Sequence, residues 1–416
     1  MNAGIKVDEG LLKRSPDLSD TEDTITHKIT MRVIRCSSEI EELRPLWSLW
    51  QHHPNADIDF YLTISRTHAD FVQPYIVVVE RNGSPEAMLI GRIERRQLEC
   101  KVGYKTLFRP TARIINFIYE GMLGDLLPDV SAIVVDTITT SLQDGEADLA
   151  LFNLLRADSP LHEAASRRPG FLSRDYSPPQ QIHRSTSLTC KADSVRALPR
   201  RVQRRNRKLV SDFRDQVRIV CFREPAELDR MMEDVEEVAK KTYQRGLGVG
   251  FVKHAAMRQR LQLEAEKGWL RGYVLYLGDR SCAFWIGTLY RGTFHTNFTG
   301  YDASYSKYSP GMFLLMRAIE EMRTQRDGPR VHNINWGLGD AEYKEMLGTS
   351  QWQEGPVHIF APTRRGLRLK VLVVATTLIE LFSKRFLAST GFLARIKKVW
   401  RNHVTEEEAR PSADMP

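Results

Sequence analysis

Three residues, Ser309-Pro310-Gly311, open a predicted amphipathic helix directly after a polar loop that is rich in aromatic residues. Ser309 has the chemistry of an N-cap, and Pro310 suits the first helical position because its missing N–H would be unpaired there. Gly311 adds no side chain to the surface, which leaves the backbone N–H groups and the positive end of the helix dipole accessible. The sequence therefore predicts an anion site, for phosphate above all, at this helix start. The alternative interpretation is that Ser-Pro-Gly is an ordinary helix start signal without a ligand.

The helix itself is predicted from the spacing of its apolar residues. Met312, Leu315, Ile319 and Met322 recur every three or four positions and form one buried face. The turn-forming segment 327–329 ends the helix.

An arginine-rich segment, LPRRVQRRNRKLVSDFRD at 198–215, is a second candidate for binding phosphate. We expect it to form a helix, and it carries seven Lys or Arg residues from Arg200 to Arg214. Such a run suits the phosphates of a nucleotide, a cofactor or a nucleic acid. Nucleic acid is the weaker interpretation, because the cations fall on several helix faces and neither a zinc finger nor an RNP-type motif accompanies them. A solvated surface is the default for such a segment.

Most of the net charge of +8 lies near the C-terminus. Residues 364–404 contain ten Lys or Arg residues against one acid, Glu380, and we expect two basic amphipathic helices over 361–404. The longest uncharged runs, 371–379 and 386–394, are nine residues each, short of the ~20 that a membrane-spanning helix needs. The two helices would either lie on an anionic membrane surface or cover the sheet with their apolar faces and leave the cations in water.

The bulk composition indicates a globular protein with a substantial core. Its 416 residues suggest two or three domains, with 42% hydrophobic and 27% charged residues. Five cysteines lie far apart, which argues against a disulfide framework and a zinc site and fits a reducing cytoplasm. Residues 1–28 are polar and lack the apolar stretch of a signal peptide, and we expect them and residues 405–416 to be disordered.

The second half of the chain predicts an antiparallel sheet that becomes parallel at its last strand. In chain order we expect two helices, three closely spaced strands, a helix and a final strand: 225–244, 253–267, 272–278, 281–290, 292–298, the helix from Ser309, and 331–336. Gly-Asp and Arg-Gly turns separate the three strands, which is typical of an antiparallel meander. The strand-helix-strand succession that follows gives a parallel pair.

The first half repeats this order of elements with unrelated residues. We expect a helix, three strands, a helix and a strand: 38–50, 75–80, 86–93, 113–120, 129–142 and 148–154. The second helix of this half begins in GMLGDLLPDV, where Asp125 and Asp129 would repel an anion. We infer that the first copy lacks the phosphate site, and we expect it to form one wall of the acceptor cleft.

Three motifs resemble the GNAT acyltransferase superfamily, and within it the double-domain proteins of the CelD cellulose-biosynthesis type, which are related to the Fem peptidoglycan-bridge transferases. The motifs are FTGYDASYSKYSPGMFLLMRAIEEM at 298–322, NWGLGDAEYKEMLG at 335–348 and, more loosely, RRVQRRNRKL at 200–209. The resemblance implies an α/β (α+β) fold of tandem GNAT-like domains, each a mixed, mainly antiparallel sheet flanked by helices. It assigns 29–185 to a degenerate GNAT-like domain and 186–360 to a catalytic one, followed by the helical tail.

The resemblance also implies a co-substrate, acetyl-CoA or another acyl-CoA, and no metal. The residues implied for its pyrophosphate form the helix start: Tyr308, Ser309, Pro310, Gly311 and Met312. Its pantetheine arm would lie in the fork between strands 293–299 and 331–336. The sequence YSPG stands where many GNAT enzymes have an Arg/Gln-rich Gly loop, and Fem relatives of the same fold take aminoacyl-tRNA as donor. The resemblance therefore leaves both donors open.

Acyl transfer to an ordinary amine needs a base, because neutralising a group with a pKa of ~10.4 at pH 7 costs roughly 4.6 kcal/mol. Strand alternation in TFHTNFT places Phe294 and Phe298 on one face and His295 and Asn297 on the other. His295 is then a candidate base, and Asn297 a residue that orients the substrate. Asp302 is the second candidate base, and the resemblance favours it. A structural histidine and a loop carboxylate bonded to backbone N–H groups are the respective alternatives.

Two tyrosines and a glycine-rich loop complete the surroundings of this predicted site. Tyr305 and Tyr308 are candidate donors to the carbonyl oxygen or the leaving thiolate, or they pack over the helix start. The loop around Gly248 follows a helix and not a strand, so it is no dinucleotide fingerprint, and we expect it to border the acceptor site.

The last strand leads into a further group of polar residues, Asp340, Tyr343 and Lys344. Loops at strand ends commonly carry function, and we expect Asp340 and Tyr343 to contact the substrate. In Fem relatives a lysine in a matching Phe/Tyr-Lys-x-x-x-Gly context serves the active site, which implies this role for Lys344. An exposed helix lysine is the alternative.

Hydrolase and metalloenzyme chemistries find no support, because the chain has no G-x-S-x-G elbow, Walker loop, H-E-x-x-H or paired C-x-x-C. The first hypothesis is a cytoplasmic, acyl-CoA-dependent N-acyltransferase. It would acylate an amine of a sugar, free or lipid-linked, or of another cell-envelope or polysaccharide precursor; the pathway comes from the resemblance. The alternatives are a Fem-like aminoacyl-tRNA-dependent transferase and a non-catalytic GNAT-fold partner of a membrane polysaccharide synthase, docked through residues 364–404 at the inner membrane face.

Overall fold

The computed structural model of the chain describes residues 29–102, 105–125, 127–176, 178–188, 198–242, 245, 250–324, 329–339 and 341–389. The disorder predicted for 1–28 and 405–416 lies outside these residues, as do Gly248 and Asp340.

Both halves of the described chain contain helices and strands. The α-helices are α1 Ser37–Trp50, α2 Ile58–Thr67, α3 Pro128–Gln143, α4 Pro160–Arg167, α5 Arg200–Phe213, α6 Leu228–Ala239, α7 Ala255–Glu266, α8 Pro310–Thr324, α9 Glu342–Leu347 and α10 Arg364–Ser389. The strands are β1 Ile29–Ile34, β2 Phe71–Arg81, β3 Ser84–Gln97, β4 Cys100–Val102, β5 Lys105–Phe108, β6 Thr111–Gly124, β7 Leu149–Arg156, β8 Gln181–Ser187, β9 Val217–Phe222, β10 Leu270–Leu277, β11 Arg280–Tyr290, β12 Thr293–Tyr301, β13 Asn333–Leu338 and β14 Ser350–Phe360.

Twelve of these strands form one continuous sheet in the order β1-β2-β3-β6-β7-β14-β8-β13-β12-β11-β10-β9. Neighbours are antiparallel except for β6 with β7 and β12 with β13, which are parallel. The predicted fold class, a mixed and mainly antiparallel sheet flanked by helices, is confirmed. The parallel pair of the second half includes β12, the strand that leads to α8, as the order of elements predicts.

The two halves exchange their last strands. Strand β8, at the end of the first half, pairs with β13 of the second half, while β14, at the end of the second half, pairs with both β7 and β8. The predicted boundary between residues 185 and 186 falls inside β8. Each half therefore completes its sheet with a strand from the other half, and the seam between them runs through β7, β14, β8 and β13.

Helices cover both faces of the sheet and define separate cores. Helices α1 and α2 bury Trp47 and Tyr61 against the first half, and α6 and α7 bury Val235 and Leu261 against the second. The two pairs meet across the seam, where Lys267 after α7 forms an ion pair with Asp59 of α2. Helices α3 and α4 cover the opposite face of the first half, and α8 packs on the opposite face of the second. We call the face that carries α1, α2, α6 and α7 the front face.

Two predicted helical regions differ in the structure. The helix predicted at 225–244 is a 3₁₀ helix, Pro225–Glu227, followed by α6, which ends at Ala239. The C-terminal basic region, predicted as two helices, is the single helix α10 as far as the described residues extend. No helix in the described part of the chain is both long and apolar enough to cross a membrane.

Candidate functional site

Helix α8 begins at Pro310 with its first turn open. Ser309 has a left-handed backbone, φ 55°, and its carbonyl accepts the first helical hydrogen bond from the Phe313 N–H at 3.1 Å. Within the described chain the N–H groups of Gly311 and Met312 have no acceptor, both residues are half-buried, and no acid lies in the first turn. The geometry fits the predicted anion site, because unpaired N–H groups meet the positive end of a helix dipole here.

The arginine-rich helix α5 supplies a cation to this helix start. The Arg205 guanidinium donates from Nη1 to Ser309 Oγ at 3.3 Å, and Leu209, one turn on, is buried in the core beneath α8. The predicted N-cap hydroxyl is thus in contact with an arginine. Arg204 and Arg207 of the same helix are exposed, which agrees with a solvated surface for that part of α5. Two phosphate-binding features predicted separately therefore meet at one point.

Aromatic side chains pack around the start of α8. Tyr308 is buried and donates from its hydroxyl to Asp212 Oδ2 at 2.8 Å, while Phe213 packs edge-on against its ring at 5.5 Å. Tyr305 is half-buried near the same Phe213, at 6.4 Å between ring centroids. Because the Tyr308 hydroxyl already bonds within the protein, we expect Tyr308 to hold the helix start in place and not to donate to a ligand.

A fork opens in the sheet beside this helix start. Strands β12 and β13 pair only from Thr293 to His295 against Asn333 to Asn335, and then separate, with β12 remaining beside β11 and β13 beside β8. His295 lies at the base of this fork. Asp302 lies seven residues farther on, close to α8, so strand geometry separates it from His295 by about 23 Å. The two candidate bases do not share one reaction centre.

Asp302 is buried and its carboxylate is fully engaged. Oδ1 accepts from the Ser304 N–H at 2.9 Å and from its hydroxyl at 2.7 Å, which caps the 3₁₀ helix Ala303–Tyr308. Oδ2 accepts from Lys241 Nζ at 3.1 Å. Burial raises the pKa of Asp302, but the bonds from Ser304 and Lys241 outweigh it and hold the pKa below its usual value. This geometry is that of the loop carboxylate, the alternative interpretation of Asp302.

Lys344 lies in α9 against the other arm of the fork. Its Nζ donates to the Leu338 carbonyl at 2.6 Å, at the end of β13. Burial, and to a lesser extent the charge of Arg184, lowers the pKa of Lys344 to about 8. Tyr343, the preceding residue, packs edge-on against Trp336 at 5.9 Å. A lysine with a pKa this close to neutral is able to exist in both protonation states under working conditions.

A β-bulge in β12 sets the direction of the candidate residues on that strand. Phe298 pairs with Ile286 and Thr296 with Gly287, which leaves Asn297 as the extra residue. The predicted common face of Phe294 and Phe298 is wrong for this reason: Phe294 packs in the core under α8, and Phe298 packs on the front face.

His295 and Asn297 do share the front face, as predicted. His295 lies directly opposite Thr288 in the ladder, and Asn297 Nδ2 donates to the Thr288 hydroxyl at 2.8 Å. Thr288 in turn donates to Glu264 of α7 at 2.9 Å. Asn297 is thereby tied to the front-face helices.

Both ring nitrogens of His295 are buried, and neither has a hydrogen-bond partner in the described chain. The ring of His53, from the first half, lies edge-on at 4.4 Å. Burial lowers the pKa of His295 to about 4, so the ring is neutral at pH 7. Buried polar atoms normally have partners, and two unpartnered nitrogens in one ring indicate that a water or a substrate group completes this place.

The first half contributes residues to the same place that the sequence analysis did not single out. The Tyr119 hydroxyl is buried, its pKa is raised by burial and by the neighbouring carboxylates of Glu120 and Glu354, and its ring is edge-on to His53 at 5.1 Å. Glu120 has φ 57° and contacts His52, Oε2 to Nε2 at 3.1 Å, and this carboxylate raises the pKa of His52. His52 and His53 are adjacent in a loop. The sequence alone could not assign them to a site, because they meet Glu120 of β6 and His295 of β12 only in the folded chain.

Beside these residues, His183 bridges the exchanged strands. Its Nδ1 lies 2.5 Å from Glu354 Oε1 and its Nε2 2.5 Å from Asn335 Oδ1, and its ring stacks on Trp352 at 4.4 Å. His295, Tyr119 and His183 thus lie around the seam on the front face. We call this group, with His52, His53 and Glu120, the seam cluster. No group of three or more His, Cys, Asp or Glu in the described residues is arranged to hold a metal ion.

The corresponding helix start of the first half differs from that of α8. Helix α3 begins at Pro128 with Asp129 in its first turn, and Arg81 Nη2 lies 3.4 Å from that carboxylate. Because a carboxylate already occupies the positive end of this helix dipole, the geometry agrees with the inference that the first copy lacks a phosphate site.

Residues 197–345 match the family model described as Acetyltransferase (GNAT) domain. The matched stretch begins just before α5 and ends in α9, so it includes Arg205, the start of α8, the fork and Lys344. This part of the chain is therefore similar to a GNAT acetyltransferase domain. Among curated proteins, none has a sequence that matches the chain.

Two solved structures are similar to the chain over most of its length. FemX has a TM-score of 0.51 at 10% identity, with 82% of this chain and 100% of FemX covered. A tandem GNAT protein from the clavulanic acid biosynthesis pathway has a TM-score of 0.48 at 12% identity, with 81% of this chain and 99% of that protein covered. At such identity the likeness to FemX concerns the fold alone. The predicted relation to the Fem transferases is confirmed at that level, and the CelD type stays a prediction.

Proposed function

We propose that the protein is an acyl-CoA-dependent N-acyltransferase whose donor site is the start of α8. The observation that carries the proposal is the approach of Arg205 to Ser309 at 3.3 Å beside unpaired N–H groups of a helix start. A cation and a helix N-terminus together favour a group with two phosphates. From that position an extended pantetheine arm would run along the fork toward its base.

The proposed reaction takes place near the base of the fork. The nitrogen of a neutral amine attacks the thioester carbonyl carbon, the C–N bond forms, the C–S bond breaks, and the thiolate leaves. The proton from the amine passes to His295, whose ring nitrogens are unpartnered and neutral at pH 7. A base with so low a pKa accepts a proton more readily from the acidic ammonium of the tetrahedral intermediate than from the ammonium form of the free amine. Lys344, as an ammonium, would stabilise the negative charge that develops on oxygen or sulfur.

The acceptor would lie in the seam cluster. Glu120 offers a carboxylate to an amine, and the Tyr119 hydroxyl offers a further polar contact. Both halves of the chain would then form one acceptor site. The first half would contribute polar side chains to this site in addition to forming one wall of the cleft. An amine on a sugar or on another polysaccharide or cell-envelope precursor, in the cytoplasm, is the acceptor class that the CelD resemblance suggests.

An aminoacyl-tRNA donor is the second candidate. It is favoured by the exposed cations of α5 next to the same helix start, since Arg204, Arg207 and Lys208 face solvent. Phosphates of a larger ligand would neutralise these side chains, and binding would weaken steeply with salt.

Isothermal titration calorimetry of the full-length protein tests the donor. We expect acetyl-CoA or a longer acyl-CoA to bind, and an amino sugar to be acylated when both are present. Binding of aminoacyl-tRNA in preference to every acyl-CoA would select the second candidate. Binding of acyl-CoA without transfer to any amine, together with an unchanged phenotype for His295→Gln in cells, would select the non-catalytic partner of a synthase.

A further inference from the structure

Helix α10 exposes one continuous face from Arg364 to Leu378. Arg364, Arg368, Val371, Ala375 and Leu378 are all exposed, and they follow each other at spacings of four and three residues, as one helix face does. The face is cationic at its start and apolar afterwards, with Val371 66% and Leu378 39% exposed. An apolar outer face is unusual for a helix that already packs on the protein with its other side.

A loop of the first half lies against the same helix and is more exposed still. Phe171 is 77% exposed, and Leu172 and Tyr176 are each 49% exposed. Lys370 of α10 holds this loop, donating from Nζ to the Phe171 carbonyl at 2.8 Å and to the Leu172 carbonyl at 3.2 Å. The hydrogen bond from Lys370 to the Phe171 carbonyl therefore holds the loop in place, while the Phe171 ring itself stays exposed.

Lys370 also lies over both aromatic rings of the loop, 5.6 Å from the centroid of Phe171 and 4.8 Å from that of Tyr176. Arg174 also lies over the Tyr176 ring, 5.9 Å from its centroid. Aromatic rings interleaved with cations are suited to the boundary between lipid headgroups and acyl chains, where the ring lies in the apolar layer and the cation at the phosphates.

We propose that these two elements form a docking surface for an anionic lipid bilayer. We call it the lipid patch, and it consists of Phe171, Leu172, Tyr176, Val371, Leu378 and Ile379, with Lys370 and the arginines at the start of α10 around it. Residues 364–379 contain four cations and no acid, and the sequence adds six more cations between 384 and 401. Lys and Arg side chains are attracted to an anionic membrane surface, so charge complementarity favours anionic lipid over a neutral surface.

The proposal is independent of the donor and the acceptor of the transferase. The lipid patch involves none of the residues at the start of α8 or in the seam cluster, and α10 packs on the hairpin β4–β5 and on β14.

Flotation of the full-length protein with vesicles tests the proposal. We expect binding to vesicles of phosphatidylglycerol and phosphatidylcholine, much weaker binding to phosphatidylcholine alone, and loss of binding at high salt. The double variant Phe171→Ser/Val371→Ser should lower the partition coefficient at least about tenfold, because two large exposed apolar groups no longer enter the lipid. The matched control is Leu49→Ser, which changes a residue of α1 that is 71% exposed on another surface and should leave binding unchanged.

Separate outcomes would overturn the proposal. Equal binding of the double variant and the wild type would show that the patch does not contact lipid, and so would equal binding of both vesicle types. A dimer that becomes a monomer in the double variant, with no vesicle binding by either protein, would assign the patch to a second copy of the chain. Thermal melts and acetyl-CoA calorimetry on each variant show that folding and the donor site are intact, so failure here is distinguishable from failure of the proposed function.

Discussion

His183 Nδ1 lies 2.5 Å from Glu354 Oε1, and this buried contact joins the last strand of each half of the chain. The other ring nitrogen faces Asn335 Oδ1, whose orientation is fixed because it also accepts the Gly337 N–H at 2.9 Å. His183 therefore donates from Nε2 to the Asn335 oxygen, while its Nδ1 contacts the Glu354 carboxylate. The contact lies in the middle of a twelve-stranded sheet, where strands from the two halves alternate.

Breaking this pair should destabilise the whole chain. We expect His183→Ala to lower the free energy of unfolding by about 3–5 kcal/mol, because it leaves a buried carboxylate without its partner. Denaturant unfolding followed by both fluorescence and circular dichroism measures this. The exposed pair of Glu163 and Arg167 is the control, and Glu163→Gln should change stability by less than about 0.5 kcal/mol. A loss below about 1 kcal/mol for His183→Ala would contradict the importance given to the strand exchange.

His295 should be required for transfer and not for donor binding. We expect His295→Gln to lower kcat by about 10²–10⁴ while the Kd of acetyl-CoA stays the same, because the change removes proton acceptance at the base of the fork only. Single-turnover kinetics with an amino-sugar acceptor measures this, with the exposed His332→Gln as control. An unchanged kcat in His295→Gln would exclude His295 as the base.

We expect Asp302 to contribute to stability and not to proton transfer. We expect Asp302→Asn to retain activity within about tenfold and to lower the free energy of unfolding by about 1 kcal/mol, because the cap is kept but the contact with Lys241 becomes weaker. Since the folded-state pKa of Asp302 is lowered, its contribution to stability is present above the unfolded pKa of ~3.9 and is lost as pH falls through the folded pKa. A fall in kcat of a hundredfold or more, with stability unchanged, would instead identify Asp302 as the base.

The lowered pKa of Lys344 predicts that activity falls at alkaline pH. Its pKa is about 8, so the fraction in the ammonium form falls above pH 8, and the rate should fall with it if that charge stabilises the transition state. Initial rates between pH 6 and pH 10 measure this. In Lys344→Arg the charge persists, and the decline above pH 8 should disappear even if the overall rate is lower. A profile of the variant that still declines near pH 8 would assign the limit to another group.

The elements that depend on local pattern could be predicted from the sequence. Helix α8 begins at Pro310 and α5 at Arg200, because Pro and the spacing of apolar residues act over a few positions. The bulge in β12 could not be predicted by strict alternation. A signal for it exists in Gly287, since a Cβ there would lie 2.2 Å from the Phe294 ring.

The parts of the site that depend on tertiary structure could not be predicted. The exchange of β8 and β14 pairs residues far apart in the chain, and no local pattern specifies which strand becomes the neighbour of β7 or β13. His53 and Tyr119 belong to the first half, and the packing of the two halves places His53 against His295 and Tyr119 against His53. The approach of Arg205 to Ser309 is of the same kind, since each residue was a phosphate-site candidate on its own.

The most direct test of the donor site is calorimetry of acetyl-CoA with Gly311→Asp. A Cβ at Gly311 would lie 3.3 Å from the Tyr301 ring, and the new carboxylate would place a negative charge at the open N–H groups of α8. Gly170→Asp is the control, because a Cβ at Gly170 meets open space. The account predicts that Gly311→Asp binds acetyl-CoA at least about tenfold more weakly than the wild type and that Gly170→Asp binds normally. Equal affinity of all three proteins for acetyl-CoA would contradict it.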